Sequence, residues 1–206
     1  HLVHGMVEAG EAQCIMGNHE FNALCWETRA PAGSGREYLR EHNERHLRQI
    51  GDTLEQFAHW PQEWRDLVGW FGQLPLFLDF GLFRMVHACW DARLIQPLRE
   101  QYPDGRVDRE FIEASVERGS FAAQTFDRLL RGTDMRLPHG MTMTGKDGFT
   151  RAFFRTKFWE EAPLTYGDVV FQPDALPTEI AARPLSEDQR AELLIYGPEQ
   201  PMLFVG

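Results

Sequence analysis

An α+β fold is predicted by three observations. Strand-length apolar runs alternate with helical patterns along the 206 residues, and helices dominate the middle of the chain. Glycine and proline punctuate the joints between these runs. Apolar residues at 43% and charged residues at 25%, with six Trp and fifteen Phe, supply a core and exclude wholesale disorder. The length suits one domain, or one domain carrying an insertion.

Charge and cysteine usage narrow the class further. A formal charge of −10 argues against a protein that mainly grips a nucleic-acid backbone, which needs a basic face, so no stable nucleic-acid complex is expected. Cys14, Cys25 and Cys89 are odd in number and form no CxxC pair. They read as reduced thiols in a cytoplasmic setting. The longest apolar stretch, Leu74–Phe83, contains Pro75, Asp79 and Gly81 and is far short of a membrane span. No signal peptide is visible.

The elements follow in order. His1–Gly10 reads as the end of a helix stopped by Gly10. Ala12–Met16 is a strand-length run ending at Gly17, and Glu20–Thr28 is a helix with Phe21, Leu24 and Cys25 on one side. Residues 30–35 have loop composition. Over Arg36–Trp60, Leu39, Leu47, Ile50, Leu54 and Phe57 fall at helical spacing and predict one amphipathic helix. Pro61 opens another helix, to about Gly72. Strands are expected at Leu76–Phe80 and Phe83–Ala88, and helices at Asp91–Glu100, Asp108–Arg118 and Phe121–Arg131. Lys146-Asp147-Gly148 reads as a hairpin turn. The strand after it puts Ala152, Phe154, Thr156 and Phe158 on one face, with Arg151, Arg155 and Lys157 on the other. Residues 160–186 give a weak signal, and Met202–Val205 reads as a strand.

Two segments carry chemistry. Gly17-Asn18-His19-Glu20 follows a buried strand and opens a helix, so its side chains project where open sheets place their ligands. Asn18 offers a hard carbonyl oxygen to a metal, and its amide can donate to a phosphate oxygen. His19 exchanges a proton near neutral pH. The plain alternative is a loop in which Asn18 caps the helix and His19 is merely exposed. In Phe83–Asp91 a strand delivers His87 at its end, where a fixed backbone sets the ring direction for a metal. A core histidine is the competing reading.

Other signals are weaker. His42 and His46 stand at i, i+4, but Asn43 occupies the place of a zincin glutamate, so a solvated helix face is expected. Gly145-Lys146 lacks the rest of a P-loop. Trp60, Trp64, Trp70 and Phe71 read as core or cap packing.

Gly17–Trp26, the Leu74-Pro75-Leu76 turn, Val86–Asp91 and the Lys-Asp-Gly hairpin leading to Phe158-Trp159 together resemble the calcineurin-like metallophosphoesterases. The resemblance is narrower to bacterial serine/threonine phosphatases, diadenosine tetraphosphatases and the phosphatase domain of polynucleotide kinase-phosphatases. It implies a four-layer αββα sandwich over residues 1–206, with a helical insertion at 30–73 and a second insertion with a β-hairpin at 104–165. It also implies two divalent ions (Mn, or Fe, Zn or Ni) that hydrolyse a phosphate monoester or phosphoanhydride through a bridging water. Asn18 and His87 would be metal ligands, His19 the catalytic acid, and Asn18 and Arg155 substrate contacts, with Glu20 in support. The substrate would be a phosphorylated small molecule, nucleotide, protein or RNA end. The family's Asp-x-His and Gly-Asp-x-x-Asp-Arg blocks and its terminal Gly-His have no match here. The chain therefore reads as an internal fragment, inactive and without firmly bound metal by itself. The other reading is a non-catalytic phosphoesterase-like binding module.

Overall fold

The computed structural model describes residues 1–138, 140–144, 148–160, 162–171 and 176–194. It is a mixed α+β chain whose contacts divide into two compact units, His1–Arg131 and Gly132–Gly206. The division falls inside the segment 104–165 that the sequence reading marks as the second insertion.

The first unit begins with α1 (Leu2–Glu8), stopped by Gly10 in the left-handed region at φ 73°. Helix α2 (Asn18–Glu27) starts where the Glu20 carboxylate reaches back to accept the Gly17 N–H at 3.0 Å. That bond satisfies a donor the helix cannot. Helix α3 (Glu44–Gln56) is capped by Asn43, whose side-chain oxygen accepts the His46 N–H at 2.9 Å. Helix α4 (Pro61–Phe71) carries its proline in the first turn. Strands β1 (Phe77–Asp79) and β2 (Arg84–Val86) pair antiparallel, with Phe77 opposite Val86 and Asp79 opposite Arg84. Gly81 turns the hairpin at φ 78°.

Helix α5 (Ala92–Gln101) is capped by Asp91, and α6 (Arg109–Ala114) by Asp108. Helix α7 (Phe121–Arg131) has the bounds its periodicity predicts, and Ala122, Thr125, Phe126, Leu129 and Leu130 are its buried stripe. Helix α2 packs on α4, while α5 and α6 each pack on α7. Phe21 stacks on Phe126 at 4.0 Å between ring centroids, which ties α2 to α7 in one core. The β-hairpin is held to that core through its flank, since the Leu76 N–H donates to Gly105 O at 2.9 Å. Gly105 sits at φ 74°, and a Cβ there would lie 2.8 Å from the Phe77 carbonyl oxygen.

Two expectations in this unit are corrected. The helix predicted over Arg36–Trp60 exists only as Glu44–Gln56. The Asn43 cap starts it late, and residues before it fold back as a loop, with Ala30 N–H on Glu37 O, Leu39 N–H on Thr28 O and Arg40 N–H on Cys25 O, each at 3.0 Å. Leu39 is buried from that loop, whereas Leu47, placed on the apolar side by spacing, is exposed. Ala12–Met16 is not a ladder strand; Met16, fully buried, donates its N–H to Pro75 O at 2.9 Å.

The second unit is built from β3 (Asp134–Arg136), β4 (Met143–Thr144), β5 (Thr150–Arg151) and β6 (Phe153–Arg155). Strands β3 and β6 pair antiparallel, as do β4 and β5. The β4–β5 pairing agrees with the expected hairpin, although Lys146 and Asp147 of its turn lie outside the described residues, as does Met202–Val205. Phe154, Thr156 and Phe158 are buried while Arg155 is exposed, which is the predicted alternation. Helices α8 (Tyr166–Val169), α9 (Thr178–Ala181) and α10 (Glu187–Leu194) complete the unit, with Leu137, Phe154, Val169, Val170 and Ile180 in its core. Inside it, the Thr156 hydroxyl donates to the Thr133 hydroxyl at 2.6 Å, so both buried oxygens are bonded.

Candidate active site

The site grows from two backbone constraints. The first is the start of α2, where Gly17 is wedged between two side chains. A Cβ on Gly17 would lie 2.5 Å from a Glu20 carboxylate oxygen and 3.1 Å from the His87 ring. Only the bare backbone lets the imidazole approach this closely. The second constraint lies at the end of β2. The Ala88 N–H donates to Leu129 O at 2.9 Å. Leu129 is in the last turn of α7, whose carbonyls have no partner within the helix. One orphan acceptor of α7 thus fixes the backbone directly after His87.

Together these constraints bring His87 Nε2 to 3.0 Å from Asn18 Oδ1, across 69 residues of sequence. Nε2–H donates to the amide oxygen, and the bond aligns both groups. The spacing also suits a shared cation. Two donors each roughly 2.0–2.2 Å from one ion, and near a right angle apart, stand about 3 Å from one another. The pair therefore fits two adjacent coordination positions of a single ion. Among the described residues there is no group of three or more His, Cys, Asp or Glu able to hold a metal. The carboxylate bridge that a pair of ions requires is not supplied by them. Glu20 is occupied as the cap of α2.

His19, the second residue of α2, is exposed and lines a cleft of about 130 Å³ with Asn22, Arg40, His46, Gln49 and Trp64. Arg155 belongs to the second unit, on the exposed side of β6 opposite Asp134. The thiols are poor nucleophiles: burial pushes Cys25 and Cys89 up to about 12, and it raises Cys14 as well.

The histidines at 42 and 46 do not share a helix face. His42 precedes α3 and stacks between Trp26 (3.7 Å) and Tyr38 (4.1 Å), with Nε2–H donating to Trp26 O at 2.9 Å. His46 donates Nδ1–H to Glu41 O at 2.7 Å. Both rings serve the loop.

Sequence reasoning missed a polar cluster made of Asn22, Arg40 and Gln49, which line the His19 cleft, and Arg131, which reaches Asn22. The Asn22 side-chain oxygen accepts from Arg40 and, at 3.3 Å, from Arg131, and Gln49 accepts from Arg40. Asn22 stands one helical turn from His19, which was a readable signal; Arg40 and Arg131 reach it from distant segments that carry none. No helix among the described residues is long and apolar enough to cross a membrane. No family model matches the chain, and no curated protein or solved structure matches it either.

Proposed function

We propose that this chain carries part of a metal-dependent phosphoesterase site within a calcineurin-like αββα sandwich. The observation that supports it is the approach of Asn18 Oδ1 to His87 Nε2 at 3.0 Å, between two motifs singled out by their resemblance to that family. When bound, divalent ions would neutralise phosphoryl oxygens and activate a water for attack. Asn18 and His87 would hold one such ion, and the remaining ligands would come from the family blocks that have no match here. The first-turn N–H groups of α2 add a positive dipole end, which favours an anionic phosphoryl group. His19 hands a proton to the departing oxygen. Arg155 contacts substrate only as an implication of the resemblance.

Manganese binding tests the ligand assignment. Titration of the protein with Mn²⁺, followed by electron paramagnetic resonance, should show a weakly held ion that His87→Ala loosens further by about ten- to a hundredfold. Equal binding by wild type and variant would favour the non-catalytic binding module. For the acid role, in a chain that carries the family's metal-ligand blocks, His19→Ala should lower kcat for alkyl phosphates far more than for nitrophenyl phosphate. Equal losses on both substrates would move His19 to metal positioning.

A further inference from the structure

The polar cluster beside His19 has an unusual electrostatic composition. The Arg40 guanidinium is held by the amide oxygens of Asn22 and Gln49, both neutral. A second guanidinium, that of Arg131, donates to the same Asn22 oxygen at 3.3 Å, with Asp127 on its other side at 3.1 Å. One amide oxygen thus collects two cations, and only Arg131 has a carboxylate partner among these contacts. The surroundings leave Arg40 strained as a cation. Burial first, and then the like charges of Arg131 and Arg45, hold its pKa below the usual arginine value. Such a concentration of positive charge runs against a chain with a net charge of −10.

The geometry leaves room for an anion. Each guanidinium has five N–H donors, and the contacts with Asn22 and Gln49 use two of those on Arg40. Arg40 lines the same cleft of about 130 Å³ as His19. Asn22 stands three residues after His19 on α2, about 4.5 Å further along the helix axis, and the two guanidiniums gather at its side chain.

We propose that Arg40 and Arg131, gathered by Asn22, form an oxyanion clamp that binds a second anionic group of the substrate, one helical turn from the phosphoryl group that reacts. This deepens the phosphoesterase reading and rests on it for taking phosphate as the anion. Guanidinium forks match phosphate oxygens with paired, charge-assisted hydrogen bonds, which amide partners cannot offer. Asn22 is the positioning residue: its single oxygen holds both forks without neutralising them.

The test uses inorganic phosphate as the probe and metal-free, chelator-treated protein, followed by calorimetry. Wild type should bind phosphate, and Asn22→Asp should weaken it by about ten- to a hundredfold, because the new carboxylate takes the anion's place between the two forks. The melting temperature of Asn22→Asp should stay level or rise, since it gains two ion pairs, so lost binding cannot be laid to unfolding. Arg40→Gln should give a similar loss, and Arg109→Gln, an exposed arginine paired with Glu113 away from the clamp, should bind phosphate as wild type does. Absence of phosphate binding in wild type, or full binding by Asn22→Asp, would overturn the clamp. Either result leaves the manganese assay at Asn18 and His87 to be judged separately.

Discussion

Two places in the first unit bring a histidine against an aromatic or amide partner, and they do opposite things with it. At the start of α2, Asn18 and His87 meet from 69 residues apart, and the bare backbone of Gly17 leaves room for the His87 ring and the Glu20 carboxylate. In the loop before α3, His42 lies flat between Trp26 and Tyr38, and its Nε2–H is consumed by a backbone carbonyl. The first arrangement leaves donor atoms pointing at each other. The second spends its polar atoms on holding a loop. The spacing of His42 and His46 does not put them on one helix face, because i, i+4 matters only when both residues are inside one helix, and Asn43 starts α3 between them. Converging backbones bring Asn18 and His87 together, whereas His42 is held by stacked rings and a backbone carbonyl.

The sharpest way to break this contrast is Gly17→Ala. The added methyl must displace the His87 ring, 3.1 Å from its position, although the Glu20 carboxylate can swing aside. The backbone at Gly17 is ordinary for any residue at φ −103°, so the effect isolates the steric wedge. Manganese affinity should fall about ten- to a hundredfold, as when a partner that orients a ligand is lost. An affinity equal to wild type would mean the ring has space to spare and the wedge does not aim it. A smaller effect comes from the other region. His42→Ala removes two stacked contacts and should cost about 0.5–1.5 kcal/mol in urea unfolding, with manganese affinity unchanged. If His42→Ala weakened metal binding as well, the two regions would be coupled and the contrast would fail.

Local patterns made much of the scaffold legible before any coordinates. The apolar spacing of Phe121–Arg131, the first-turn Pro61 and the Gly81 turn each state their own geometry through residues a few positions apart. Legibility fails where partners are remote. Leu39 lies at helical spacing with Leu47 and Ile50, yet it is buried by a loop whose bonds run back to Thr28 and Cys25. Ala12–Met16 has strand composition, but a ladder depends on neighbours, and Met16 finds Pro75. The same division runs through the site. Gly17–Glu20 and His87 were visible as motifs, whereas Arg40 and Arg131 converge on Asn22 from segments 18 and 109 residues away with no local mark.

Gly105 has a consequence of the same remote kind, best put in terms of mutational tolerance. It holds a left-handed φ that side chains rarely adopt, and the space where a Cβ would sit belongs to the Phe77 carbonyl oxygen. Its own carbonyl anchors Leu76, at the base of the hairpin whose second strand ends at Val86, one residue before His87. In a library of random variants selected for function, position 105 should therefore keep a one-letter alphabet. It would behave there like a catalytic residue, although it touches neither Asn18 nor His87 and contributes only a bend in the chain.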